Sequence, residues 1–199
     1  MLKFEKPEYK VTDYIENNFY GKFELEPLER GFGTTIGNAL RRIMLSSLPG
    51  SAITSVKIDG VMHEFQTIDG VVEDVTSIVL NLKGVVVKNH SPEEKKVIRL
   101  NITGEKEVTA GDFETDPDIE IINKDLVIAH VSEGGKLVME ATIGNGRGYV
   151  RSDEQKRLLG DVKVGVIPID SIYSPIERVS YDVESARVGQ NESYDKLIM

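Results

Sequence analysis

The residues most able to do chemistry fall into four small groups. Gly31-Phe32-Gly33-Thr34-Thr35-Ile36-Gly37 has the glycine density of a loop that cradles phosphate. A dinucleotide fingerprint needs a glycine three residues after its second glycine, where Ile36 stands, and a Walker loop needs Gly-Lys-Ser/Thr, which does not occur. A nucleotide site is therefore the weaker alternative to a helix-entry turn. Gly144-Asn145-Gly146-Arg147-Gly148 is either an anion-binding nest or a bulge between strands. His63, His90 and His130 are far apart and form no HxxxH or HExxH arrangement, so no zinc site is expected. His63-Glu64 reads as a strand-borne pair on opposite faces, and Asp116-Pro117-Asp118 as a turn in place of a two-metal carboxylate cluster. There is no Gly-x-Ser-x-Gly elbow and no cysteine to act as nucleophile or thiolate ligand. No cofactor, metal or catalytic residue is expected; the pattern is that of a binding or assembly module.

The elements that would carry such a module can be read from periodicity. Alternation through Tyr9-Lys10-Val11-Thr12 and Phe23-Glu24-Leu25-Glu26, with Asn17, Asn18 and Gly21 between, predicts a hairpin that Pro27 interrupts. Thr34-Thr35 offers an N-cap to a helix ending at Leu48-Pro49-Gly50. Ile53, Val56 and Ile58 before Asp59-Gly60, with Val61 to Phe65 after it, predict a second hairpin. Val72, Val75, Ile78, Val79 and Leu82 have helical spacing and end at Gly84. Short β-like runs follow at 97–102, 119–122, 126–131 and 137–143, with no helix expected before Gly148. The charged stretch Arg151 to Leu159 is expected to be a surface loop, with strands at 162–168 and 178–183. The class is α+β, rich in antiparallel strands, and no clean domain cut is visible.

The chain has 199 residues, 33 acidic against 24 basic, a formal charge of −9 and 40% hydrophobic content. This is ordinary globular composition, long enough for one large or two small domains. Phosphate binding runs on Lys and Arg, so a free-standing nucleic-acid binder is disfavoured. No window approaches the ~18 apolar residues of a membrane span, and Met1 to Pro7 lacks the core of a signal peptide. The expected location is the cytoplasm.

Projected at about 100° per residue, the first helix places Ile36, Ala39, Leu40 and Ile43 on one stripe, with Met44 at its edge. That stripe is expected to face the core. Asn38, Arg42 and Leu45 cluster on the far side. Leu45 there is either a lone surface leucine or, with Arg42, an anchor for another chain. Gly37 inside a helix suggests close approach of another element.

Leu28-Glu29-Arg30-Gly31 through Leu48-Pro49-Gly50 closely resembles the first-helix signature of the bacterial RNA polymerase alpha-subunit family. The resemblance continues in order through 59–65, Glu73-Asp74 into Asn81-Leu82-Lys83-Gly84, 146–150, 173–179 and 183–188, and so covers nearly the whole chain. It implies a non-catalytic scaffold of a nucleotidyltransferase, a homodimer that recruits the beta and then the beta-prime subunit. The family fold implies a discontinuous dimerisation subdomain at 1–49 and 176–199 and a mostly β insert subdomain at 50–175. Carried over by position, Phe32, Ile36, Leu40 and Ile43 resemble dimer-interface residues, while Asn38, Arg42 and Leu45 lie on the beta-contacting surface. Lys83 and Ile169 resemble positions facing the large subunits, and Asp153 and Glu154 lie where some members meet transcription activators. Family members continue beyond the Asp195-Lys196-Leu197 region into a further interface helix, a linker and a DNA-binding carboxy-terminal domain. This sequence ends at Met199, so neither that domain nor direct DNA contact is expected of it, and whether it dimerises without the further helix is open.

Overall fold

The computed structural model describes residues 5–15, 19–91, 95–160 and 164–199. The chain forms two compact units, one of Met1–Ser47 with Ile176–Met199 and one of Leu48–Pro175. Both are built on antiparallel sheet, in agreement with the expected α+β class.

The discontinuous unit opens with strands β1 (Glu8–Ile15) and β2 (Tyr20–Glu29) and helix α1 (Phe32–Ser46). The expected hairpin is present; Asn17 and Asn18 lie outside the described residues, and Gly21 belongs to β2 rather than to a turn. Pro27 does not end β2, which runs on to pair Leu28 with Asp195 of the last strand. α1 starts two residues earlier than its threonines suggest. Gly31, at φ 88°, makes the entry turn. The Asp195 carboxylate accepts the Gly31 and Gly33 N–H groups at 2.7 and 3.2 Å. The cap thus comes from a residue more than 160 positions away, and the Thr35 hydroxyl instead donates to the Gly31 carbonyl.

The other unit comprises β3 (Pro49–Ile58), α2 (Val75–Lys83), β4 (Val87–Asn89), β5 (Lys95–Thr103), β6 (Lys106–Thr109), β7 (Ile119–Ile121), β8 (Val127–Val131), β9 (Lys136–Arg147), β10 (Tyr149–Val150), α3 (Ser152–Leu159), β11 (Val166–Pro168) and β12 (Ser171–Ile172). Its main sheet runs β5-β9-β3-β4-β7, with β11 also on β3. Ile58, Ile78, Leu82, Ile98, Leu100 and Ile143 are fully buried in its core. The last strands, β13 (Asp182–Val188) and β14 (Asn191–Ile198), return to the discontinuous unit and complete a sheet of order β1-β2-β14-β13.

Several local expectations are corrected. Asp59-Gly60 does turn, with Val61 N–H donating to Ile58 C=O, but no hairpin follows. β3 is a central strand already flanked by β9, β4 and β11. The chain beyond the turn leaves the sheet because the Gln66 side chain takes the Met62 and His63 N–H groups. His63-Glu64 is therefore loop, not strand. α2 begins at Val75 rather than Val72 because Asp74 caps it, accepting Ser77 N–H at 2.7 Å. A 3-10 turn at Ala110–Asp112 interrupts the stretch expected to lack helix.

The charged segment after Arg151 is a helix, α3, with Asp153 and Glu154 in its first turn and Lys156 and Arg157 in its last. That charge order suits the helix dipole. Its one buried residue is Gln155, whose amide donates to the Ser171 hydroxyl and the Tyr173 hydroxyl at 2.9 and 2.8 Å. Residues 162 and 163 of the expected 162–168 strand lie outside the described residues, and β11 covers its end. Residues 178–181 are irregular, the strand starting at Asp182. Gly144 to Arg147 belong to β9, where the Tyr173 ring would stand 2.7 Å from any Cβ at Gly146.

Candidate functional site: a helix seated on glycine

α1 meets its sheet through Gly33 and Gly37, its buried residues. A Cβ at Gly33 would stand 2.6 Å from Val183 Cγ1, and one at Gly37 would stand 2.6 Å from the Tyr181 ring and 2.9 Å from Leu197 Cδ1. Those separations are well inside van der Waals contact, so glycine is what lets the helix backbone settle onto β13 and β14.

Seating on glycine turns the helix relative to the expectation from its sequence. The Ile36, Ala39, Leu40, Ile43 stripe was expected to face the core; it faces outward instead, together with Phe32. Phe32 and Ile43 are 53% and 51% exposed, Leu40 is exposed, and only Ile36 is half-buried. The spacing of the apolar residues marks the apolar side correctly, but the tightest seat is taken by the residues with no side chain.

On the other flank Asn38 and Arg42 are exposed and Leu45 is half-buried. Arg41 and Leu45 line a groove whose opposite wall is Glu177, Arg178, Val179, Ser180 and Tyr181. α1 therefore offers two separate surfaces: an apolar stripe on the side away from the groove, and a polar, arginine-bearing side beside it. The sheet extends the apolar one. Val11 opposes Phe23, Tyr9 opposes Leu25, and Leu25 opposes Leu197 beneath the helix. Cross-strand partners share a face, so exposed Tyr9, Val11 and Phe23 continue the surface on which α1 lies.

In the other unit Lys83 ends α2 and donates to Asp170 Oδ2 at 2.7 Å, while Asp170 Oδ1 accepts Ser152 N–H at 2.7 Å and so caps α3. The Lys83 hydrogen bond and then the Ser152 N–H hold the Asp170 carboxyl well below its usual range, at about 2. Ile169 is fully buried. It cannot present its side chain to a partner, and the expectation that it faces the large subunits is corrected: the group that solvent reaches beside it is the half-buried Lys83–Asp170 pair. Asp153 and Glu154 are exposed on the first turn of α3.

Among the described residues no three His, Cys, Asp or Glu side chains are placed to hold a metal. The tightest polar cluster is His130, whose Nδ1 lies 2.6 Å from Glu73 Oε1 and Nε2 3.3 Å from Glu107 Oε2, with the His130 N–H donating to Glu73 Oε2. The Glu73 hydrogen bond raises the His130 pKa. Burial acts to raise that of Glu73, but the hydrogen bonds from His130 outweigh it and the result is a lowered value. This cluster ties the 61–74 loop to β8 and engages both ring nitrogens of His130 with carboxylates. Sequence reasoning missed Asp195, Asp170 and Tyr181, because each acts on an element remote in the chain.

The family model for the RNA polymerase Rpb3/RpoA insert domain matches residues 56–174. Curated relatives include proteins named DNA-directed RNA polymerase subunit alpha from Symbiobacterium thermophilum, 57% identical, and Desulforamulus reducens, 55% identical. One from Limosilactobacillus reuteri is 53% identical, and each of these matches covers 100% of this chain and 62% of the relative. The chain thus spans a little under two thirds of the length of these relatives.

Proposed function

The chain belongs to the DNA-directed RNA polymerase alpha-subunit family, and we propose that it is the polymerase's non-catalytic assembly scaffold. Two copies pair through the apolar flank of α1, by Phe32, Ile36, Leu40 and Ile43. Asn38, Arg42 and Leu45 on the other flank contact the beta subunit. Lys83, held by Asp170, faces the large subunits, and Asp153 and Glu154 are open to activators. In this scheme the discontinuous unit is the dimerisation subdomain and the unit of Leu48–Pro175 is the insert; the family-model match over 56–174 supports the second label.

The observation that carries the proposal is the outward apolar flank of α1. A helix that seats on glycine and leaves Phe32, Leu40 and Ile43 about half exposed gains only part of their burial in an isolated chain. Burying the exposed half of these side chains against a partner returns on the order of 1 kcal/mol each. The rival, phosphate binding by the Gly31 to Gly37 turn, is disfavoured on geometry. The N–H groups that would receive a phosphate are taken by the Asp195 carboxylate, which would also repel it.

Co-expression with the beta subunit tests the scheme. Beta should co-purify with the wild-type chain, and Arg42→Ala should abolish the association. An Arg42→Ala chain that retains beta as well as wild type sinks the assignment of that flank. Sedimentation of the chain over a concentration series tests the other flank, since a species that stays monomeric throughout argues against pairing through it.

A further inference from the structure

A lysine at the end of a helix ordinarily sweeps through solvent, but Lys83 is held at both ends. Its stem leaves α2 beside Leu82, which is buried with Ile78 in the core. Its ammonium donates to Asp170 Oδ2, and Asp170 Oδ1 accepts Ser152 N–H, both at 2.7 Å. Asp170 is fixed in turn from behind. Ile169 N–H donates to Thr54 C=O, and the buried Ser171 hydroxyl donates to Ile53 C=O, so the residues on either side of Asp170 are tied to β3. The carboxylate is thus an extension of the central strand, reaching out to place one ammonium.

Holding the ammonium has two effects on anything that meets it. The first is entropic. A lysine side chain loses much rotamer freedom when it is fixed, and here that loss occurs on folding and does not oppose association. The second is electrostatic. An ammonium has more donors than one acceptor can use, and Lys83 keeps enough exposure for the rest to reach a partner. Those donors belong to a pair with no net charge, beside exposed Arg151, Asp153 and Glu154, so the local balance is negative. An incoming carboxylate would be drawn by the ammonium and repelled by Asp170 and the acids of α3. A backbone carbonyl accepts the same N–H groups without that repulsion.

We propose that Asp170 is a positioning residue for the Lys83 contact: it fixes the ammonium so that its remaining N–H groups meet a backbone carbonyl of a large subunit. This rests on the reading that Lys83 faces the large subunits, and not on the assignment of the flanks of α1.

The test titrates the full chain against a fixed amount of purified beta and beta-prime, below the melting temperature of every variant, and reads the concentration that gives half-assembly. Lys83→Ala and Asp170→Asn should each raise it by at least about fivefold, and the double variant should do no worse than Lys83→Ala because Asp170 acts through Lys83. Asp112→Asn is the matched control. Asp112 likewise holds a lysine, Lys106 at 2.6 Å, and accepts a backbone N–H, that of Thr109 at 2.9 Å. Its loss removes the same kinds of bond and should leave assembly as in wild type. The Lys83→Ala deficit should be the same at about 50 mM and about 500 mM salt, as a carbonyl acceptor requires. Asp170→Asn within about twofold of wild type while Lys83→Ala is impaired overturns the positioning role and keeps the reading of Lys83. An additive double variant, or a loss with Asp112→Asn equal to that with Asp170→Asn, overturns it too, and a Lys83→Ala deficit that shrinks severalfold at high salt overturns the carbonyl acceptor. Assembly of Lys83→Ala as wild type overturns the reading of Lys83 itself and this proposal with it.

Discussion

Replacing Asp170 by asparagine should destabilise the unit of Leu48–Pro175, and the cost should fade at low pH. One carboxylate oxygen holds Lys83 and the other the first N–H of α3, both at 2.7 Å. Together they bring the carboxyl from 3.8 to about 2. At about 1.4 kcal/mol per pH unit, that drop corresponds to roughly 2.5 kcal/mol of preference for the folded state. Solvent reaches both partners, Lys83 being 28% and Asp170 24% exposed, and screening reduces the expected effect to about 1–2 kcal/mol. The sign follows from linkage: a carboxyl whose pKa is lower in the folded state stabilises fully above its unfolded value of 3.8, and the contribution is lost as pH falls toward 2. Urea unfolding followed by circular dichroism, with hydrogen exchange at residues 152–155 to report on α3, should show Asp170→Asn weaker by that amount at pH 7. The gap should narrow steadily below about pH 4. A deficit under about 0.5 kcal/mol at neutral pH, or one that persists undiminished at the lowest pH where wild type still folds, would refute the reasoning.

Gly37→Ala tests the glycine seat. Helix propensity alone predicts a gain of about 1 kcal/mol, whereas a Cβ 2.6 Å from the Tyr181 ring and 2.9 Å from buried Leu197 predicts an overpacking cost of about 1–3 kcal/mol. The net is a lower melting temperature for the discontinuous unit, and a stabilised variant would show that α1 does not seat as described. Glu73→Gln should lower the His130 pKa in an NMR titration, because the Glu73 hydrogen bond is the largest cause of its elevation. The wild-type clamp should hold below about pH 6.5 and weaken as pH rises through the raised His130 value. Exchange of the 61–74 amides that is independent of pH across that range, after correction for intrinsic rates, would count against it.

Periodicity was sufficient where an element's partners are its chain neighbours. The β1–β2 hairpin and the stripe of α2 follow from alternation and from three- and four-residue spacing, and Gly84 ends α2 as expected. It failed where a distant residue decides. α3 reads as a charged loop because its support is one buried glutamine and an aspartate cap from Asp170, neither of which leaves an apolar signature. The Asp59-Gly60 signal predicts a hairpin that the central position of β3 does not allow, its neighbours being β9, β4 and β11. Of the candidate site residues, Arg42 is exposed, Lys83 is half-buried and Ile169 is fully buried.

The first helix shows most clearly how a correct pattern can carry an incorrect face. An amphipathic stripe fixes which side of a helix avoids water, but not whether the covering comes from its own chain. In α1 the decisive residues are Gly33 and Gly37, which add no apolar side chain to any stripe and yet permit a separation from the sheet that no larger residue would allow. A narrow seat leaves more of the helix circumference free than a seat on leucines would. Both flanks then remain available, one apolar and one bearing Arg42, on an element pinned at its start by Asp195 and along its base by Val183 and Leu197. Every one of those pins lies on β13, β14 or the approach to them. The presentation of α1 therefore depends on the returning end of the chain: the exposed side chains of residues 32–43 are displayed by strands at 182–198.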